Sequence, residues 1–260
     1  MRSAFVRVAV FTAGGVLVLL GWTLLGRQAT SRLRASGRTT IAFADIECDP
    51  PRYLSRADFL GEVQYLAGLP DRLPLDDEVL AMRIAAAFGA HPCVRAVERV
   101  QVLPGRVLVA VAYRMAALAV PVTESLRVVD GRAVLLPRCA LPDGLPQLAG
   151  ESLAPPANAE GKPWVDERVV AAAGVAAYLR PLHERVAVEK IVVEGSEVSL
   201  VAGKTRIRWG SAPGRELRGE PDAAAKARRL EALAARPGGL TEREIDLSQS
   251  KPSVTPATSR

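Results

Sequence analysis

The chain has 260 residues, 49% of them hydrophobic but only 5% aromatic, and a formal net charge of +6. That length supports one or two domains, with cores built from Ala, Val and Leu. Of the 34 basic residues 29 are Arg, spread along the whole chain, which argues against the concentrated basic element of a nucleic-acid binder. Three cysteines (Cys48, Cys93, Cys139) form no disulfide framework. They read as small buried hydrophobes, with one pair still able to form.

From the amino terminus, Val8 to Gly26 is a run of 19 residues without a charge. At about 1.5 Å per residue, a helix of that length nearly crosses a hydrocarbon core of about 30 Å. Residues 1–26 therefore read as a cytoplasmic stub and a transmembrane anchor. The run is long for a signal peptide, and no small-x-small cleavage site follows Leu25. Arg2 and Arg7 flank one end; Arg27, Arg32, Arg34 and Arg38 flank the other. Local charge favours a cytoplasmic body, yet long domains are translocated despite local charge, so charge alone leaves the side open. Residues 27–40 read as a juxtamembrane linker in reach of membrane lipid.

Residues 41–115 form a first domain. Ile41 to Cys48 reads as a strand with Ile41, Phe43 and Ile46 inward, ended by Asp49-Pro50-Pro51. Ser55 to Asp58 is a capping-box-like start, and Phe59, Val63 and Leu66 lie on one helical face closed by Gly68. Asp76 opens a second helix with the stripe Leu80, Ile84, Ala87, Phe88, closed by Gly89. The period then changes to two. Val94 to Leu103 and Arg106 to Tyr113 flank the turn Pro104-Gly105, with Val107, Val109 and Val111 on one face. The order strand, helix, helix, strand, strand predicts two helices on a three-stranded sheet.

Residues 116–249 form a mostly antiparallel β domain with two helices. Leu126–Val129 and Arg132–Leu136 flank Asp130-Gly131, a hairpin signal. A Pro/Ala/Gly-rich stretch from Leu145 to Pro163 reads as surface loop. Asp166 to Leu182 is a helix stopped at Pro181. Val188–Glu194 and Glu197–Ala202 flank Gly195-Ser196 as a second hairpin, and Lys204–Trp209 adds a strand. Pro221 to Arg236 is a helix with Leu230 and Leu233 inward and Lys226, Arg228 and Arg229 outward. Arg243 to Ser248 is the last clear strand. Residues 250–260 are a polar tail holding the short β-competent run Ser253-Val254-Thr255, bracketed by Pro252 and Pro256. Strand and disordered tail both remain open for it.

This order of pieces resembles the bacterial division protein family FtsQ/DivIB. His91-Pro92-Cys93-Val94-Arg95-Ala96-Val97 is similar to the family's "HPWVRSA", with Cys93 in place of Trp. Tyr113 to Ala119 is similar to "ERxPVA", Val129 to Val134 to "(I/V)DxxGxV", and Leu145 to Gly150 to "LPxLxG". Lys226 to Leu233 followed by Glu244 to Leu247 resembles "Kxxxlxxl … xVDLR", with Ser248 where the family has Arg. The resemblance spans nearly the whole chain. It implies an α+β fold: one N-terminal transmembrane helix, a small β-α-α-β-β module of the POTRA type, then the β domain. It also implies a single-pass protein of the cytoplasmic (inner) membrane with a periplasmic body.

The function it implies is a non-enzymatic scaffold of the divisome, acting in septum formation with the septal cell-wall synthesis complex. The implied partners are small bitopic coiled-coil division proteins, FtsB/FtsL-like, bound at the far C-terminal sheet edge. By position that edge is Ser253, Val254 and Thr255, with Asp246 and Leu247 on the neighbouring strand. No P-loop, nucleophile elbow or G-x-G-x-x-G is present, and His91 and His183 have no companions at metal-ligand spacing. No catalytic residue, metal or cofactor is therefore expected. A bitopic scaffold of a secretion or pilus machine is the competing reading.

Overall fold

The computed structural model of the chain describes residues 40–157, 160–236, 240, 243–250 and 253–256. They divide into two compact units. The first holds residues 40–49, Arg56–Ala87 and Val97–Ala110; the second holds Pro50–Ser55, Phe88–Ala96 and everything described from Val111 onward.

In the first unit, strand β1 (Thr40–Ala42) pairs antiparallel with β2 (Arg72–Pro74), Ile41 opposite Leu73. A 3-10 turn over Phe43–Asp45 follows β1, so the expected strand to Cys48 breaks after three residues. Its inward residues are nonetheless Ile41, Phe43 and Ile46, all buried. Helix α1 (Arg56–Ala67) buries Phe59, Leu60 and Val63. That arc is centred between Val63 and Leu60, which leaves Leu66 off its edge and 53% exposed. Helix α2 (Leu80–Ala90) buries the stripe Leu80, Ile84, Ala87 and Phe88. Strands β3 (Val94–Leu103) and β4 (Arg106–Tyr113) form a two-stranded sheet of their own. Glu47 docks on β4: its N–H donates to the Val107 carbonyl and its carbonyl accepts from Val109 N–H, both at 2.9 Å.

The second unit is built on an eight-stranded sheet of order β12-β11-β10-β9-β8-β7-β5-β6. Its strands are β5 (Ala116–Val122), β6 (Ser125–Asp130), β7 (Gln147–Leu148), β8 (Lys190–Glu194), β9 (Glu197–Ala202), β10 (Thr205–Ser211), β11 (Arg243–Asp246) and β12 (Ser253–Pro256). Helices α3 (Glu167–Leu179) and α4 (Ala223–Ala234) share one core with it, through Val169, Ala173 and Ala176 of α3 and Leu230 and Leu233 of α4. Asp166 caps α3, its carboxylate accepting from the N–H groups of Arg168 and Val169. The hairpin at Gly195 forms as the sequence predicts, with Gly195 at φ +60°.

Three expectations are corrected. The fold is α+β, but the sheet is mixed rather than mostly antiparallel: β5–β7, β7–β8 and β10–β11 are parallel pairs. The cause is connectivity. Parallel neighbours need a long crossover, and α3 and α4 each sit in one, between β7 and β8 and between β10 and β11. The first domain is not strand-helix-helix-strand-strand around one three-stranded sheet. An extra strand, β2, lies between the helices, and the four strands form two pairs, linked by the parallel bridge between Glu47 and Leu108 of β4. The expected membrane-crossing helix over Val8–Gly26 lies outside the described residues; among the described residues no helix is long and apolar enough to cross a membrane.

Two further differences are local. Asp130-Gly131 does not turn a regular hairpin. The partner of β6 is β5, and residues 132–136 return only through the bridge Val129–Leu135. Asp130 instead closes a side-chain turn, its carboxylate accepting from Arg132 and Val134 N–H and pairing with Arg114 at 3.1 Å. The stretch from Leu145 is not all loop, since β7 sits inside the sheet with Leu148 buried.

Val109 tests the register of the first unit. It is 5% exposed, on the same buried face as Val107. Val109→Asp places an unpaired carboxylate in that core. Urea unfolding of the variant is expected to lack the first unit's transition; an unchanged midpoint would show the strand face inverted.

Candidate functional site

Strand β12 is an outer edge of the eight-stranded sheet. It pairs antiparallel with β11: Arg243 opposite Pro256, Glu244 opposite Thr255, Ile245 opposite Val254, and Asp246 opposite Ser253. The short run between the two prolines is thus a strand. Proline decides which way its backbone faces. Pro256 has no N–H, and strands accept proline where that side points away from the ladder. Residues two apart share a side, so Val254 presents its N–H and C=O to the open edge, beside the bare carbonyl of Pro256. The edge is rich in acceptors and poor in donors. Val254 is 39% exposed.

The five residues that sequence reasoning placed here separate by role. Ser253, Val254 and Thr255 form the edge itself. Leu247 is fully buried, and its N–H donates to the Arg208 carbonyl at 2.9 Å. Asp246 is occupied by its own turn. One carboxylate oxygen accepts from Ser248 N–H at 2.8 Å and Ser248 Oγ at 2.6 Å, the other from Gln249 Nε2 at 3.3 Å. Asp246 and Leu247 therefore support the edge from behind.

Behind them lies a buried ion pair that the sequence reading missed. Lys226, expected to point outward, is fully buried. Its ammonium donates to Glu220 Oε1 at 2.6 Å and to the Ser211 carbonyl at 3.3 Å, and lies 5.5 Å from the Trp209 ring centroid. Glu220 also accepts from Ser211 N–H at 2.7 Å and Leu217 N–H at 2.9 Å. Burial works to raise the Glu220 carboxyl, but the bonds from Lys226 and Ser211 overcome it and hold the group at about 2, below the usual 4.5. Gly210, at φ +90°, leaves room for this knot. A Cβ there would collide with Glu220 Oε1 and come within 2.8 Å of Ser248 Cβ. The signal for burial is in the spacing. Lys226, Leu230 and Leu233 stand at i, i+4 and i+7, one helix face, and a lysine on an apolar stripe demands a partner.

Of the remaining candidates for chemistry, His91 and Cys93 are enclosed, Cys48 and Cys139 are half-buried, and His183 is exposed. Cys93 Sγ lies 2.8 Å from His91 Nδ1, with Cys93 fully buried and His91 1% exposed. Beside them the Tyr53 hydroxyl is pushed up, first by burial and then by the neighbouring thiols of Cys93 and Cys139. None of the three cysteines is in a disulfide. Among the described residues no group of His, Cys, Asp and Glu could hold a metal ion.

Lys226→Met removes the ammonium while keeping the side chain's length, and leaves Glu220 buried without its cation. The expected loss is about 3 kcal/mol, partly recovered in the double variant with Glu220→Gln. The pH dependence has a definite sign. The unfolded chain protonates Glu220 at higher pH than the folded one, so the stabilisation is complete above about 4.5 and fades as pH falls toward 2. Chemical denaturation across that window should show a slope that Glu220→Gln reduces; an identical slope would remove Glu220 from the account. No protein-family model matches the chain, and no curated protein matches it either; what it does is read from its own residues.

Proposed function

We propose that the chain is a scaffold of the bacterial divisome of the FtsQ/DivIB type, which recruits small bitopic coiled-coil partners by letting them add a strand to β12. Its body works on the outer face of the cytoplasmic membrane, beside the septal cell-wall synthesis complex, and it carries out no catalysis of its own. The observation that supports this reading is the position of β12: a short strand, paired on one side only among the described residues, at the place in the chain where the resemblance puts the partner interface. An open edge is a template for another strand. Main-chain hydrogen bonds supply affinity, and alternate side chains supply specificity. With one outward N–H at Val254 and the outward carbonyls of Val254 and Pro256, β12 favours a partner strand that brings several free N–H groups and no proline opposite them.

Two tests bear on it. Val254→Pro deletes the one outward donor while leaving the pairs of Ser253 and Thr255 with β11 intact. Affinity capture from membranes, read by mass spectrometry, should recover coiled-coil division proteins with the parent chain and lose them with this variant or with truncation after Gln249. Dividing cells should then elongate without septa. Recovery of secretion or pilus subunits would favour the competing scaffold, and undiminished capture by the truncated chain would move the interface off β12. A C-terminal alkaline phosphatase fusion should be active and a fluorescent-protein fusion dark. The reverse result would place the body in the cytoplasm and end the division reading.

A further inference from the structure

Strand β12 is the last described strand of the sheet. It has four residues and one neighbour. Val254 is 39% exposed.

The turn that leads into it is held from α4. Arg229 lies one position aside from the buried stripe of Lys226, Leu230 and Leu233, and is half-buried. Its guanidinium reaches back to the end of the β11 segment: Nη1 donates to the Gln249 carbonyl and Nη2 to the Ser250 carbonyl, each at 2.8 Å. Ser250 Oγ adds a bond to the Gly219 carbonyl at 3.0 Å. Two carbonyls of consecutive residues meet two nitrogens of one planar fork, a geometry that a lysine ammonium does not reproduce. The helix carrying the fork is itself fixed by the Lys226–Glu220 pair.

We propose that Arg229 is the positioning residue of the docking edge: it latches the turn before β12, so that helix α4 holds the strand in register for an incoming chain. This rests on the reading of β12 as the partner edge. Without the latch β12 is seated only part of the time, and the apparent affinity for a partner falls by the seated fraction. With it the partner meets a preformed template.

The experiment is hydrogen exchange on the full-length protein, followed over the β8–β10 amides and the β11–β12 segment separately, in Arg229→Ala, Arg229→Lys and Arg228→Ala. Arg228, next in sequence and exposed, controls for lost charge. Exchange in the β12 segment should rise about tenfold in Arg229→Ala with β8–β10 unchanged, stay raised in Arg229→Lys, and match the parent in Arg228→Ala; capture of the coiled-coil proteins should weaken by a similar factor. Parent-like exchange in Arg229→Ala overturns the latch, and full protection in Arg229→Lys overturns the fork. Raised exchange with undiminished capture keeps the latch but overturns the reading of β12 as the partner edge. Should Arg229→Ala loosen β8–β10 as well, Arg229 is a general stability residue and the latch is overturned.

Discussion

Burying an ammonium group is among the most expensive things a small domain does, and the second unit is arranged around one. Lys226 sits on the inward stripe of α4, where an aliphatic residue would cost nothing to desolvate. Its charge is met by Glu220, by the Ser211 carbonyl and by the Trp209 ring face. The partners come from two pieces of chain, Trp209 and Ser211 from β10 and Glu220 from the loop after it, and the helix brings the lysine to them. Hydrophobic contacts would hold α4 against the sheet in several rotations. A buried ion pair with fixed acceptors tolerates one. Register specification is the best-attested use of such pairs, and here the helix whose rotation is fixed is the one that carries Arg229.

The mixed sheet follows from the same connectivity. The long connection between β10 and β11 contains α4, and the one between β7 and β8 contains α3, so the strands they join run parallel. Both helices feed one core, which gives the sheet a packed face and a solvated one. The solvated face carries charges in opposed pairs, with Arg206 opposite Glu244 and Arg208 bonded to Glu197. Such a face interacts well with water, which leaves the strand edge as the more distinctive feature.

How much of this is legible in the sequence depends on length and period. The helices are legible because three or four turns repeat an apolar stripe, as with Leu80, Ile84, Ala87 and Phe88. The Gly195 hairpin is legible because its two flanking strands alternate. Strand β2 is invisible because Arg72–Pro74 is three residues long, ends in proline, and owes its structure to pairing with β1. Strand β7, two residues inside a proline-rich stretch, is made by its neighbours in the same way. Of the candidate site, the run Ser253 to Thr255 can be read from β propensity between two prolines. The burial of Leu247 cannot, because it depends on the parallel pairing of β11 with β10. Lys226 is the instructive case. Its charge suggests solvent and its spacing suggests core, and spacing wins because Glu220 is there to meet it.

The two-residue strand β7 also has a bearing on how the chain assembles. Among the described residues, the β7 segment joins β5 and β6 to the remaining strands: the Ala119 N–H reaches the Pro146 carbonyl on one side, and the Gln147 and Ala149 N–H groups reach the Glu189 and Ile191 carbonyls on the other. During synthesis the β5–β6 hairpin emerges first, and its link to β8 waits until some sixty further residues have been made and α3 has formed. Contacts that close over such distances form slowly, and an unpaired strand exposed in the meantime invites the wrong neighbour. The sheet is therefore a structure with a late seam. Its vulnerable moment is the interval before Ile191 reaches Leu148, when residues 116–130 are open to wrong pairing.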